Sequence, residues 1–104
     1  MLEKHQKAYS ELELGEPAHL IANEFCASPE TRLPVLDPST QEVLTHIPEA
    51  TPAEVDAAVA AAKVAQAAWQ QMAPRKRARA MNKLAESLKT RAKRFGAIEA
   101  LDAG

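Results

Sequence analysis

The apolar residues of this chain change their spacing near residue 50. Before that point they come in short runs separated by turn-forming residues: Ala18-His-Leu-Ile-Ala, Phe25-Cys-Ala, Leu33-Pro-Val-Leu and Val43-Leu-Thr-His-Ile. Runs of this length between turn signals read as short strands. A turn at Asn23-Glu24 joins the first two, because Asn tolerates the positive φ of tight hairpins. Ser28-Pro29-Glu30 then breaks the chain. Asp37-Pro-Ser-Thr-Gln-Glu links the second pair through residues that hydrogen-bond their own backbone. Beyond residue 50 the spacing becomes threes and fours. Thr51-Pro52-Ala53-Glu54 predicts a helix start. Thr51 accepts from the N–H of Glu54, Glu54 reaches back to the N–H of Thr51, and Pro52 takes the first helical position. Val55, Val59, Ala62, Gln66, Trp69 and Met72 then form one stripe. Pro74 opens a second helix whose apolar positions run from Ala78 through Met81, Leu84, Leu88, Phe95 and Ile98 to Leu101.

The expected architecture is therefore α+β: two short β-hairpins over residues 17–50, followed by two amphipathic helices over 51–104. Residues 1–16 form a leader, either a short helix ended by Gly15 and Pro17 or a loose strand of chain. Each helix has one apolar side and must bury it against something. Two hairpins are marginal without a surface to rest on.

Composition sharpens this need. Apolar residues make up 46% of the 104, yet aromatics are only 4% and much of the rest is alanine. Alanine buries little area, so at about 25 cal/mol per Å² a self-sufficient core is hard to assemble. The net charge of −1 also hides an asymmetry. Residues 1–60 carry eleven acids against Lys4, Lys7 and Arg32, whereas residues 61–104 carry ten bases against Glu86, Glu99 and Asp102. A basic helix can serve as a nucleic-acid arm. Here Phe95 is its only aromatic for base stacking, so a solvated basic face is the simpler reading and a nucleic-acid partner is not expected. The polar start excludes a secretory signal, and the run Ala57–Ala62 is far too short to span a bilayer. Both point to a cytoplasmic protein.

Candidate chemistry is sparse. Cys26 is the single cysteine, which rules out an internal disulfide. Nothing in the sequence joins it to His19 or His46 as a base, and it reads as a structural strand cysteine. His5, His19 and His46 lack a metal-ligand spacing. With only Gly15, Gly96 and Gly104, the chain has no glycine-rich phosphate loop.

From about Leu20 to Gly104 the blocks resemble, in order, the start of the aldehyde dehydrogenase superfamily. Ile21-Ala-Asn-Glu-Phe-Cys is similar to its opening hairpin. Leu36-Asp-Pro-Ser-Thr-Gln-Glu-Val-Leu resembles its Asn-Pro-x-Thr-Gly-Glu-Val motif. Ile47 through Lys63 matches the next block closely, and Ala68-Trp69, Arg77-Ala78 and the Met81, Leu84, Ala85 pattern follow. Glu99-Ala-Leu-Asp-Ala-Gly resembles the family's Glu-x-x-Asp-x-Gly. Two positions depart from the pattern: Gln41 and Asn23 stand where glycine is usual. If Gln41 has a left-handed backbone, its side chain costs roughly 1–2 kcal/mol.

The resemblance implies an NAD(P)-dependent oxidation of an aldehyde to a carboxylic acid. It implies that residues 17–104 are the amino-terminal part of an NAD(P)-binding domain within the α/β aldehyde dehydrogenase fold. The nucleophilic cysteine, the assisting glutamate and the dinucleotide grip of that family lie beyond this length, and Cys26 does not match the nucleophile's motif. No catalytic or cofactor-binding residue is therefore assigned, and the chain is expected to be inactive by itself, with NAD or NADP not bound by this segment alone. Some family members hold a monovalent cation near the Asn-Pro turn and the Asp-x-Gly aspartate. Here those positions are Val35, Leu36 and Asp102, an incomplete set. The implied partner is the rest of a dehydrogenase chain or a full-length homologue, in a protein that is oligomeric when complete. The alternatives are a helical module that pairs with a full-length dehydrogenase, or a small basic-helix nucleic-acid binder.

Overall fold

In the computed structural model the described residues are 3, 7, 10–27 and 30–104. Two antiparallel hairpins come first: β1 (His19–Ile21) with β2 (Glu24–Cys26), and β3 (Arg32–Leu36) with β4 (Val43–Pro48). Three helices follow: α1 (Pro52–Gln71), α2 (Pro74–Thr90) and α3 (Ala92–Ala103). The α+β reading holds, with one helix more than the apolar spacing suggested.

The first turn sits one residue earlier than expected, at Ala22-Asn23 rather than Asn23-Glu24. Ile21 pairs with Glu24, which leaves a two-residue loop. Ala22 and Asn23 have φ of 52° and 64°. Positive φ at both central residues marks the turn whose twist matches the strands, and Asn favours it more than Ala does. In the second hairpin a bulge falls between Val35 and Leu36, so Val35 pairs with Thr45 and Leu36 with Val43.

Helix α1 starts as its sequence dictates. The N–H of Glu54 donates to Thr51 Oγ1 at 3.2 Å, and the N–H of Thr51 donates to Glu54 Oε2 at 2.9 Å. Nothing comparable caps α2, where Ala73 offers no side-chain acceptor. The stripe from Ala78 to Leu101 is divided at Arg91, whose φ and ψ of −107° and 13° leave the helical range. The Thr90 hydroxyl donates back to the Ser87 carbonyl, and the Arg91 guanidinium donates to the same carbonyl and to Ser87 Oγ. Side-chain competition for helical carbonyls bends or interrupts a helix.

Little of this structure is interior. Among the described residues only Leu12, Pro48 and Leu101, with the polar Asp37, are buried. Helix α1 meets β1 through alanines, with Ala58 and Ala61 half-buried and grooved against Leu20 and Ile21. Its valine stripe lies to one side and stays open, with Val55 and Val59 about half exposed. In α2 no residue is buried at all. The radius of gyration is 17.4 Å, against about 13 Å for a compact chain of this length. The accessible surface is 8340 Å², and a compact monomer of 11.3 kDa would show about 5,700 Å². The excess over a compact monomer is roughly 2,600 Å².

Candidate functional site

A buried carboxylate and its hydrogen bonds gather at one corner, where the turn after β3 meets the end of α3. Asp37 is fully buried there. Its side chain accepts from the N–H of Ser39 at 2.8 Å, its own N–H donates to the Glu42 carbonyl at 2.8 Å, and its carbonyl accepts from the N–H of Gln41 at 2.7 Å. A buried carboxylate is costly unless it is hydrogen-bonded, and the turn supplies those bonds. Closing the loop this tightly puts Gln41 at φ 62°, so the expected left-handed strain is present. The Gln41 amide recovers part of it by donating to the Pro38 carbonyl at 3.1 Å.

Gly104 packs on the same turn. A Cβ built on it would lie 2.8 Å from Pro38 Cγ, and its φ of 82° is one that side chains rarely adopt. The Asp37-Pro38 turn and the Asp102-Ala-Gly104 segment, 65 residues apart, are therefore neighbours.

Beside this contact lies a cavity of about 450 Å³, lined by Leu12, Leu14, Val35, Ile98, Leu101 and Asp102, among others. Two of the three cation-site positions, Val35 and Asp102, share this wall. Leu36 lies next to Val35 across the bulge. The Asp102 carboxylate is exposed and makes no hydrogen bond or ion pair with the side chains or loops of the described residues. The oxygens that suit a hard cation are carbonyls and carboxylates, and these positions supply both kinds. Among the described residues no group of three or more His, Cys, Asp or Glu side chains is set to hold a metal.

The leader residues 10–16 help to form the same wall, which no local sequence signal announced. Leu12 is buried with Leu101, and the Arg94 guanidinium donates to the Leu12 carbonyl. Glu16 reaches Arg32 Nη1 at 3.4 Å. Leu12 and Arg94 are 82 positions apart, so no periodicity links them. A helix over the rest of the leader falls largely outside the described residues, of which Glu3, Lys7, Ser10 and Glu11 are helical.

The other candidates stay separate from this corner. Cys26 is half-buried in β2, directly across from His19, a pairing that the sequence did not suggest. His19 Nε2 is buried without a hydrogen bond; it stands 3.6 Å from Glu54 Oε2, which is close enough for attraction but too far to bond. Beyond the backbone ladder, the Cys26 thiol forms no hydrogen bond to His19 or to any other described residue. His46 sits on β4 opposite Pro34. A structural cysteine remains the reading. Among the described residues no helix is long and apolar enough to cross a membrane.

Hairpins, exposed amphipathic helices and a turn packed against Gly104 define an open α+β arrangement. Residues 25–104 match the model of the aldehyde dehydrogenase family. An aldehyde dehydrogenase of Alternaria alternata is 40% identical over 95 residues, which cover 88% of this chain and 19% of that protein. A betaine aldehyde dehydrogenase of Cereibacter sphaeroides is 39% identical over 72 residues, 69% of this chain and 15% of its own length. An aldehyde dehydrogenase of Emericella nidulans is 41% identical over 86 residues, 81% and 17%. No solved structure matches. The chain belongs to the aldehyde dehydrogenase family, and it spans less than a fifth of the length of these relatives.

Proposed function

We propose that this chain is the amino-terminal structural segment of an NAD(P)-dependent aldehyde dehydrogenase, a protein that oxidises an aldehyde to a carboxylic acid. The observation that carries the reading is the exposure of apolar residues such as Val59, Met81, Leu84 and Leu88 along the helices of a chain that spans less than a fifth of its relatives, with a total surface about 2,600 Å² above that of a compact monomer. The rest of a dehydrogenase covers those faces and brings the nucleophilic cysteine, the dinucleotide grip and the aldehyde pocket. Alone, the segment is inactive. Its job is support: the helices α1 and α2 brace the coenzyme-binding domain, in a cytoplasmic and oligomeric enzyme.

Within that reading the Val35 and Leu36 carbonyls and the Asp102 carboxylate contribute to a monovalent-cation site, completed by residues of the larger protein. The shared wall of Val35 and Asp102 supports this part.

A complementation assay tests the proposal. The purified chain is expected to form no NADH with any aldehyde. Mixed with a relative from which the matching segment has been removed, it is expected to restore activity. Aldehyde-dependent NADH production by the chain alone would overturn the inactivity. Failure to restore activity while the chain binds full-length enzyme would favour the helical pairing module instead.

A further inference from the structure

We infer that residues 10–16 are a strap that ties α3 to the second hairpin across the apolar cavity, and that releasing either end opens that cavity. The inference concerns the leader and stands apart from the family reading, whose match begins at residue 25.

The hairpin and the helix face each other without closing on each other. Val35, Leu44 and Ile47 reach the cavity from the hairpin, and Ile98 and Leu101 reach it from α3. Among the described residues the two elements share no broad contact. The leader reaches both. At one end the Arg94 guanidinium of α3 donates to the Leu12 carbonyl, and the Leu12 side chain is buried. Leu14 lies in a second groove with Arg91, Phe95 and Ile98. At the other end Glu16 meets Arg32 of β3 at 3.4 Å, and the same guanidinium donates to the His46 carbonyl of β4 at 3.5 Å.

Leu12 and Glu16 are four positions apart, a reach of about 14 Å at most. Each end therefore holds the other near its partner. An exposed ion pair is weak by itself, but the grip of Arg94 keeps Glu16 within range of Arg32. Between the two ends the chain bends at Glu13, whose φ of 48° is a left-handed value that a side chain disfavours. Such a bend persists where its surroundings hold it and relaxes when they let go. The grips are unequal. Leu12 is held by a charged donor in a part-buried place, whereas the Glu16 side chain is 88% exposed. The strap opens from Glu16 toward Leu12. Its release parts the wall that Val35 and Asp102 share and leaves the contact of Gly104 on Pro38 as the hinge.

Amide exchange of the 104-residue chain, followed residue by residue, tests this. Arg94→Met is expected to speed exchange in α3 by about tenfold or more. It should also speed β3 and β4, although Arg94 has no hydrogen bond to either strand. Arg32→Met should act in the other direction, raising the α3 rates by a factor of about two to three. Lys93→Met removes a neighbouring charge with no partner among the described residues and should move neither region. Removing residues 1–16 should reproduce the Arg94→Met pattern, while the amides of α1 keep their rates in every variant. An effect of Arg94→Met confined to the leader and α3, or one as large in α1, would overturn the strap. So would a shortened chain whose α3 and second hairpin exchange as in the parent. Aldehyde turnover enters none of these readings, so the complementation assay succeeds or fails independently.

Discussion

The corner around Asp37 and the helix α2 follow opposite strategies within one short chain. At the corner most groups are satisfied inside the chain: Asp37 is bonded through its turn, Leu12 and Leu101 are buried on one cavity wall, and Gly104 closes on Pro38, while Asp102 stays exposed. Helix α2 has a regular apolar stripe and a regular basic face, and neither meets anything. The contrast separates two kinds of information. A turn is specified by a handful of neighbouring residues, so it can be completed locally. An amphipathic helix specifies only that a surface exists, and the partner must be supplied from elsewhere.

The same substitution made in both regions gives the sharpest test. Leu101→Ala truncates a buried leucine and is expected to cost about 2 kcal/mol, the low end for such a site. Leu84→Ala, at a position 55% exposed, should change the isolated chain by less than about 0.5 kcal/mol. Amide exchange in α3 and α2, respectively, measures both. Equal losses would mean that α2 is already covered and would erase the contrast. In a complemented dehydrogenase the Leu84→Ala cost should rise towards that of Leu101→Ala.

A smaller effect is expected at the start of α1. Thr51→Ala removes the oxygen that receives the Glu54 N–H, at a cost of about 1 kcal/mol. The helical signal in circular dichroism should fall at a lower temperature than in the parent. No change would show that tertiary contacts, rather than the cap, fix this helix start.

The smallest change should be favourable. Gln41→Gly relieves a side chain held at φ 62°, worth about 1 kcal/mol or slightly less once the lost bond to Pro38 is counted. Slower exchange of the Gln41 and Glu42 amides would register the gain. Faster exchange would mean that the hydrogen bond outweighs the backbone strain.

Much of the fold was legible because it is local. The capping pair Thr51 and Glu54, the proline starts of α1 and α2 and the turn chemistry of residues 37–42 act over three to five positions. Two local readings needed adjustment. The first turn shifted to Ala22-Asn23 because both central residues take positive φ, which Ala does not advertise. The helix break at Arg91 was hidden because the apolar spacing continues through it, while the side-chain bonds to Ser87 interrupt the backbone. The candidate site was legible only through family resemblance: periodicity says nothing of Val35 and Asp102 sharing a wall.

The amino-acid order by itself determined the two hairpins, the starts of α1 and α2 and the one-sided helix faces, since each depends on residues within a turn or two of one another. Only the tertiary structure decided that Leu12 is buried with Leu101, that Arg94 holds the leader, and that the Pro38 turn touches Gly104. Those contacts join residues tens of positions apart, and bringing them together is a matter of chain closure and packing, which no spacing rule along the sequence encodes.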